Sequence, residues 1–186
     1  MPKFVRDALL VVVPVTLAAA LLPFGYSNQL LLFNFVVFVT LAQGVNVIYG
    51  FTGYLPFGYV GFFGAGAYGF SLAVIHLHVA PLAALGVGAL AAILLGLLLT
   101  PLLRLAGAYF AIANLAAAVA VYQVVSNPNL TDFTRGPYGI SLSGVYQPEF
   151  SYATAVVIMS ATLCLTVYLR NSRFGLALQA IREDAV

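Results

Sequence analysis

Five neutral amides are the most chemically capable side chains inside the long apolar runs of this sequence: Asn34, Gln43, Asn46, Asn114 and Gln123. An amide offers two N–H donors and a carbonyl acceptor without carrying charge. Such groups can line a path for a polar solute, or they can hydrogen-bond one helix to another for about 0.6 kcal/mol each. Gln43 and Asn46 are three apart and so share a helix face. No Asp, Glu, Lys or Arg stands in the middle of an apolar run, which argues against a proton relay or an ion pump built on buried carboxylates.

Fragments similar to enzyme motifs lack their partners. His76 and His78 are two apart, a spacing that puts them on different helix faces, so they read as interfacial residues rather than metal ligands. Ser143 and Gly144 in "SLSG" are similar to the serine motif of intramembrane proteases, but no histidine follows to act as base and the serine lies in a polar loop. The "NPN" of Asn127 to Asn129 occurs once, before a loop, where Asn-Pro is an ordinary turn signal. There is no glycine-rich phosphate loop with its lysine, so any ATP that drives this chain must be bound by another. The residues imply no catalytic role, no metal and no cofactor.

The elements that hold the amides follow from composition. Hydrophobic residues make up 63% of the chain and charged residues 6%, against roughly 25% charged in a soluble domain. The apolar runs are each about the ~20 residues needed to cross the hydrocarbon core. Lipid offers no partner to backbone N–H and C=O groups, and runs of this length without alternation exclude a barrel. The expected fold is an all-α integral membrane protein with six spans: Ala8 to Phe24, Leu30 to Ile48, Phe57 to Leu77, Pro81 to Leu103, Ala106 to Ser126 and Tyr152 to Leu169. Residues 1–170 form its transmembrane domain. Cys164 is the single cysteine, so no internal disulfide forms.

Basic residues set the direction. With a cytoplasmic N-terminus, Lys3, Arg6, Arg104, Arg170, Arg173 and Arg182 fall inside and only Arg135 falls outside. Both termini are then cytoplasmic, and the polar stretch Asn127 to Ser151 is an outer loop with turns. The first span, following Lys3 and Arg6, also fits a secretory signal peptide. A second hydrophobic segment follows almost at once, which favours a retained span.

Small residues recur every fourth position in two spans, Ala84, Gly88, Ala92 and Gly96 in the fourth and Gly61, Ala65 and Gly69 in the third, predicting faces where helix backbones approach closely. Glycine is denser in "GFTGYLPFGYVGFFGAGAYGF", where Gly50, Gly53, Pro56 and Gly58 precede or open the third span. This predicts a broken or re-entrant start to that helix. Irregular backbone at membrane depth is tolerated where protein buries it or where it lines a wet cavity, so the segment is a candidate wall of a solute path; an ordinary turn is the alternative.

The chain's seven basic and five acidic residues are unevenly spread, and five of them lie in the closing "LRNSRFGLALQAIREDAV". There Phe174, Ala177, Leu178 and Ile181 recur with helical spacing and make one apolar face, while Arg173, Gln179, Arg182 and Glu183 lie largely on the others. A short helix of this pattern suits a groove on a partner or, alternatively, a lipid surface. Glu183 and Asp184 are unfavourable at a helix C-terminus, which predicts that the helix continues.

"SRFGLALQAIREDAV" resembles the cytoplasmic loop of membrane permeases of branched-chain amino-acid ABC importers, the loop that docks on the ATPase. "QGVNVIYGFTGYLPFGYVGFFGAGAY" is similar to that family's helix ending in Asn and Gly, followed by a Gly-rich hairpin. "LRLAGAYFAIANLA" with "LTDFTRGPYGI" is similar to its "YFAI" helix and outer glycine loop. Order and separation agree along nearly the whole chain. Departures fall at Asn114, where the family tends to have Thr, at Val119 and Tyr122, where it often carries an acid and a base, and at Tyr54 and Pro56.

The resemblance implies a permease subunit of an ABC importer for branched-chain amino acids or small amides such as urea, in a bacterial or archaeal inner membrane. Besides lipid it implies two cytoplasmic ATP-binding subunits, a second homologous permease and an extracytoplasmic solute-binding protein, with no nucleic acid. Residues 171–186 become an incomplete coupling segment, in which Phe174, Gly175, Leu178 and Ile181 meet the ATPase and Arg173, Arg182 and Glu183 form a polar rim. Asn46, Gly53, Phe57, Gly58 and Asn114 are assigned to the translocation path. Family permeases continue for several helices beyond this loop, so the chain is expected to be the N-terminal portion of one. The alternative is a passive small-solute channel or a helical scaffold.

Overall fold

The computed structural model describes residues 3–105 and 107–184, without the side chains of residues 3–5, 137, 183 and 184. Its elements are helices: α1 (Lys3–Gly25), α2 (Gln29–Thr52), α3 (Tyr59–His76), α4 (Pro81–Leu98), α5 (Gly107–Val125), the single-turn α6 (Thr131–Thr134), α7 (Pro148–Arg170) and α8 (Arg173–Asp184). Six of them, α1 to α5 and α7, are long and apolar enough to cross a membrane. This is an all-α membrane fold, with helix boundaries that shift from the expected ones for local reasons.

Helix α2 runs one turn past the expected end at Ile48, through Gly50, and stops where Gly53 takes a left-handed conformation (φ 75°) and returns its N–H to the Tyr49 carbonyl. Helix α4 ends at Leu98, short of the expected Leu103, because Pro101 lacks an N–H and forces a tight turn over Thr100–Arg104. Pro148 opens α7 a full turn before the expected Tyr152, at the first helical positions where a missing N–H costs nothing. Ala106, the expected start of the fifth span, lies outside the described residues.

By its internal contacts the chain forms two units, residues 1–53 with 146–186, and residues 54–145. In the first, α7 packs against α1 and α2, and α8 packs against α2 and α7. Its core joins Val12 and Ala19 of α1, Leu32 and Val36 of α2, and Tyr152, Val156, Met159 and Leu163 of α7.

A proline explains the polar contact in this core. Pro23 lies inside α1 and has no N–H, so the carbonyl of Ala19, four residues earlier, has no helical donor. The buried Tyr152 hydroxyl donates to that carbonyl at 2.6 Å. One turn of α1 earlier, the Thr16 and Ser160 hydroxyls are 3.0 Å apart. Replacing Tyr152 with Phe keeps the ring and strands the carbonyl in an apolar core. The expected cost is about 1 kcal/mol, read as a lowered midpoint of thermal unfolding in detergent.

In the second unit α3 packs against α4 and α5. The α4 stripe behaves as one face: Ala84 is fully buried, a Cβ on Gly88 would lie 2.6 Å from the Gly66 carbonyl, and Gly96 faces the Phe62 ring. The α3 stripe does not. Gly69 meets Ala91 of α4, whereas Gly61 meets Ala118 of α5, and Gly66, outside the stripe, completes the α4 contact. Each four-residue step drifts by about 40° at 3.6 residues per turn, and α3, packed between α4 and α5, turns Gly61 and Gly69 to different neighbours within that drift, whereas the α4 stripe meets α3 alone.

The loop between α5 and α7 is built from turns. Asn127 accepts from the Asn129 N–H through its Oδ1 at 2.9 Å, as an Asn-Pro turn requires, and tight turns over Pro128–Leu130 and Gly136–Tyr138 flank α6.

Candidate functional site

Residues 53–58 carry no helix, and α3 begins only at Tyr59. Within the second unit this non-helical segment runs beside α5. The Tyr54 ring meets the Phe110 ring edge-on at 4.8 Å, Gly58 lies against Asn114, and Gly61 lies against Ala118. Asn114 is seven residues, about 10 Å, along α5 from its start at Gly107. The helix break therefore sits beside the interior of a membrane-spanning helix. It continues directly into α3 without a returning limb, so it is a broken start rather than a re-entrant loop. Pro56 and Gly58 are buried, which is how irregular backbone persists at this depth.

Asn114 is the polar centre of this contact. It is 5% exposed, and its Oδ1 is buried without a hydrogen-bond partner. A Cβ on Gly58 would overlap both that oxygen and the Asn114 backbone carbonyl, so only glycine fits there. An unpaired buried acceptor of this kind costs about 1–3 kcal/mol.

The other residues assigned to a path divide between the units. Phe57 adjoins Gly58 and is exposed. Asn46 and Gly53 belong to the first unit; Asn46 is exposed and its Nδ2 donates to Gln43 Oε1 at 3.5 Å, as their spacing predicts. Gly58 and Asn114 are thus the members of the set that touch.

The closing helix α8 is held at its start. Ser172 caps it, its hydroxyl accepting from the Gly175 N–H at 3.0 Å and donating to the Leu169 carbonyl at 3.0 Å. Gly175 is buried with its Cα against the last turn of α7, where a Cβ would overlap the Leu169 carbonyl. Its Cα therefore faces α7 rather than an outer surface. Leu178 is half-buried, while Phe174 and Ile181 remain 64% and 45% exposed. Arg173 is exposed, and Arg182 turns toward α2, donating to the Gly50 carbonyl at 3.4 Å. The Glu183 side chain lies outside the described residues.

From the middle of α3, Tyr68 donates to the Gly136 carbonyl at 2.9 Å, and buried Thr134 bonds the Val125 carbonyl at 2.8 Å and the Gly136 N–H at 3.1 Å. These bonds tie the "TRG" turn to α3 and α5. The His76 ring stacks on the Phe133 ring at 4.7 Å with its Nε2 3.3 Å from the Phe133 carbonyl. Spacing placed His76 near the interface and gave no sign of this partner, 57 residues away.

No curated protein and no solved structure matches the chain. A family model described as "Branched-chain amino acid transport system / permease component" matches residues 29–186. That span takes in α2 through α8, including the break before α3, the Asn114 helix and the capped closing helix. With six spanning helices and a match over most of its length, the chain is a multi-pass membrane protein and belongs to the branched-chain amino acid transport permease family.

Proposed function

We propose that this chain is the membrane permease subunit of an ABC importer, moving branched-chain amino acids or related small amides such as urea with energy from separate ATP-binding subunits. The observation that carries this reading is α8. A 12-residue helix, capped by Ser172 and set against α7 at Gly175, leaves Phe174 and Ile181 open to an incoming groove. Arg173 and Glu183 supply the polar rim, and Leu178 backs the two anchors from the side of the bundle. Family membership supports the choice of solute class.

The chain lies in a bacterial or archaeal inner membrane with both termini in the cytoplasm, an orientation supported by the six basic residues it places inside. A second homologous permease completes the path, and an extracytoplasmic solute-binding protein delivers to the outer loop. Transport proceeds by alternating access: nucleotide-driven movement of the ATP-binding subunits displaces α8, and the bundle reorients around the path. Separation of Gly58 from Asn114 would free the unpaired Oδ1 to accept an N–H from a passing amino or amide group.

Ile181→Asp tests the docking face. An aspartate at an apolar contact must be desolvated on binding, so capture of the ATP-binding subunit by the permease in detergent should weaken at least about tenfold. Uptake of radiolabelled leucine by the reconstituted transporter should fall with it. Undiminished capture and uptake would remove α8 from the coupling role.

A further inference from the structure

Helix α2 ends without a basic residue in its last turn, so the negative end of its dipole has no cation of its own. Arg182 supplies one from α8: its guanidinium donates to the Gly50 carbonyl at 3.4 Å, one of the terminal carbonyls a helix leaves without an intrahelical donor. The same side chain makes a second contact. Its stem lies over Gly53, where an added Cβ would come within 3.1 Å of the Arg182 Cγ. Gly53 is the left-handed cap of α2, and the chain passes from the first unit to the second directly after it. Glycine at such a position can change φ and ψ with little steric resistance, as hinge residues at element ends do.

We propose that Arg182 is the link through which a displacement of α8 reaches the end of α2, and that Gly53 is the hinge on which it acts. The inference rests on α8 being the helix that docks on the ATP-binding subunit. Arg182 is then a positioning residue: it faces α2, away from the Phe174 and Ile181 anchors, and it converts their movement into a pull on one terminal carbonyl and a push on one cap. A long exposed bond of this kind is weak enough to break and re-form in each cycle.

Hydrogen exchange on the complete transporter separates this inference from the docking reading beneath it. Adding ATP to wild type with its ATP-binding subunits should alter exchange over 173–181 and over 49–54. In Arg182→Ala the response over 173–181 should persist while that over 49–54 disappears, and uptake of radiolabelled leucine should fall at least about fivefold. Arg182→Lys, which keeps a donor and a cation, should restore most of both. An unchanged response over 49–54 in Arg182→Ala, or no rescue by lysine, overturns this link alone. Absence of any response over 173–181 in wild type overturns docking, and this link with it.

Discussion

Gly58→Ala should abolish leucine uptake and sharply reduce the yield of folded protein, although it adds a single methyl. The carbon would occupy the space of the Asn114 backbone carbonyl and of its Oδ1. A flexible side chain could swing away, but the carbonyl belongs to the interior of α5 and cannot. Nor can α3 slide off, because one turn later Gly61 already meets Ala118, where a Cβ would stand at 2.9 Å. Overpacking of a rigid contact costs about 1–3 kcal/mol, and backbone against backbone belongs at the upper end. Gly64→Ala is the control. Nothing lies within 4 Å of a Cβ there, so the exchange should be neutral or slightly stabilising through helix propensity. Adding Asn114→Ala to Gly58→Ala should recover only part of the loss, since it removes Oδ1 and leaves the carbonyl. Thermal unfolding in detergent and leucine uptake by the reconstituted transporter read these outcomes; wild-type behaviour of Gly58→Ala would mean that α3 does not begin against α5.

Gly175→Ala should separate transport from folding. Its Cβ would overlap the Leu169 carbonyl, which already accepts from the Ser172 N–H at 3.1 Å and from the Ser172 hydroxyl. To admit the methyl, α8 must tilt away from the last turn of α7, at a cost of about 1–3 kcal/mol. The α1, α2 and α7 core reaches this turn only through Val167, and its greater part, from Tyr152 to Leu163, should be spared, so the protein should unfold near the wild-type temperature. The anchors Phe174 and Ile181 would be presented at a different angle, and leucine uptake should fall at least about tenfold, with ATP-binding-subunit capture reduced in parallel. Full uptake by Gly175→Ala would show that the angle of α8 does not matter to coupling.

Uninterrupted apolar runs without charge dictate spanning helices wherever the chain is placed in lipid, because the backbone has no other way to satisfy itself there. The six spans were legible for that reason, and so was the break before α3, since Gly53, Pro56 and Gly58 are poor helix formers in any context. The face of α8 that carries Phe174 and Ile181 follows from 3.6-residue periodicity alone. Tertiary structure decided which neighbour each face meets. The resemblance grouped Gly175 with the anchors and Arg182 with the rim; packing sets Gly175 against the Leu169 carbonyl and turns Arg182 back to α2. Spacing made Gly61 and Gly69 one stripe, though α5 takes one and α4 the other. Nothing in the sequence ties Tyr152 to the carbonyl that Pro23 frees, 133 residues from its donor, or sets Asn114 against Gly58. A local pattern records what a residue can offer along its own helix; the contacts that give these residues a role come from helices distant in sequence, and only packing brings them together.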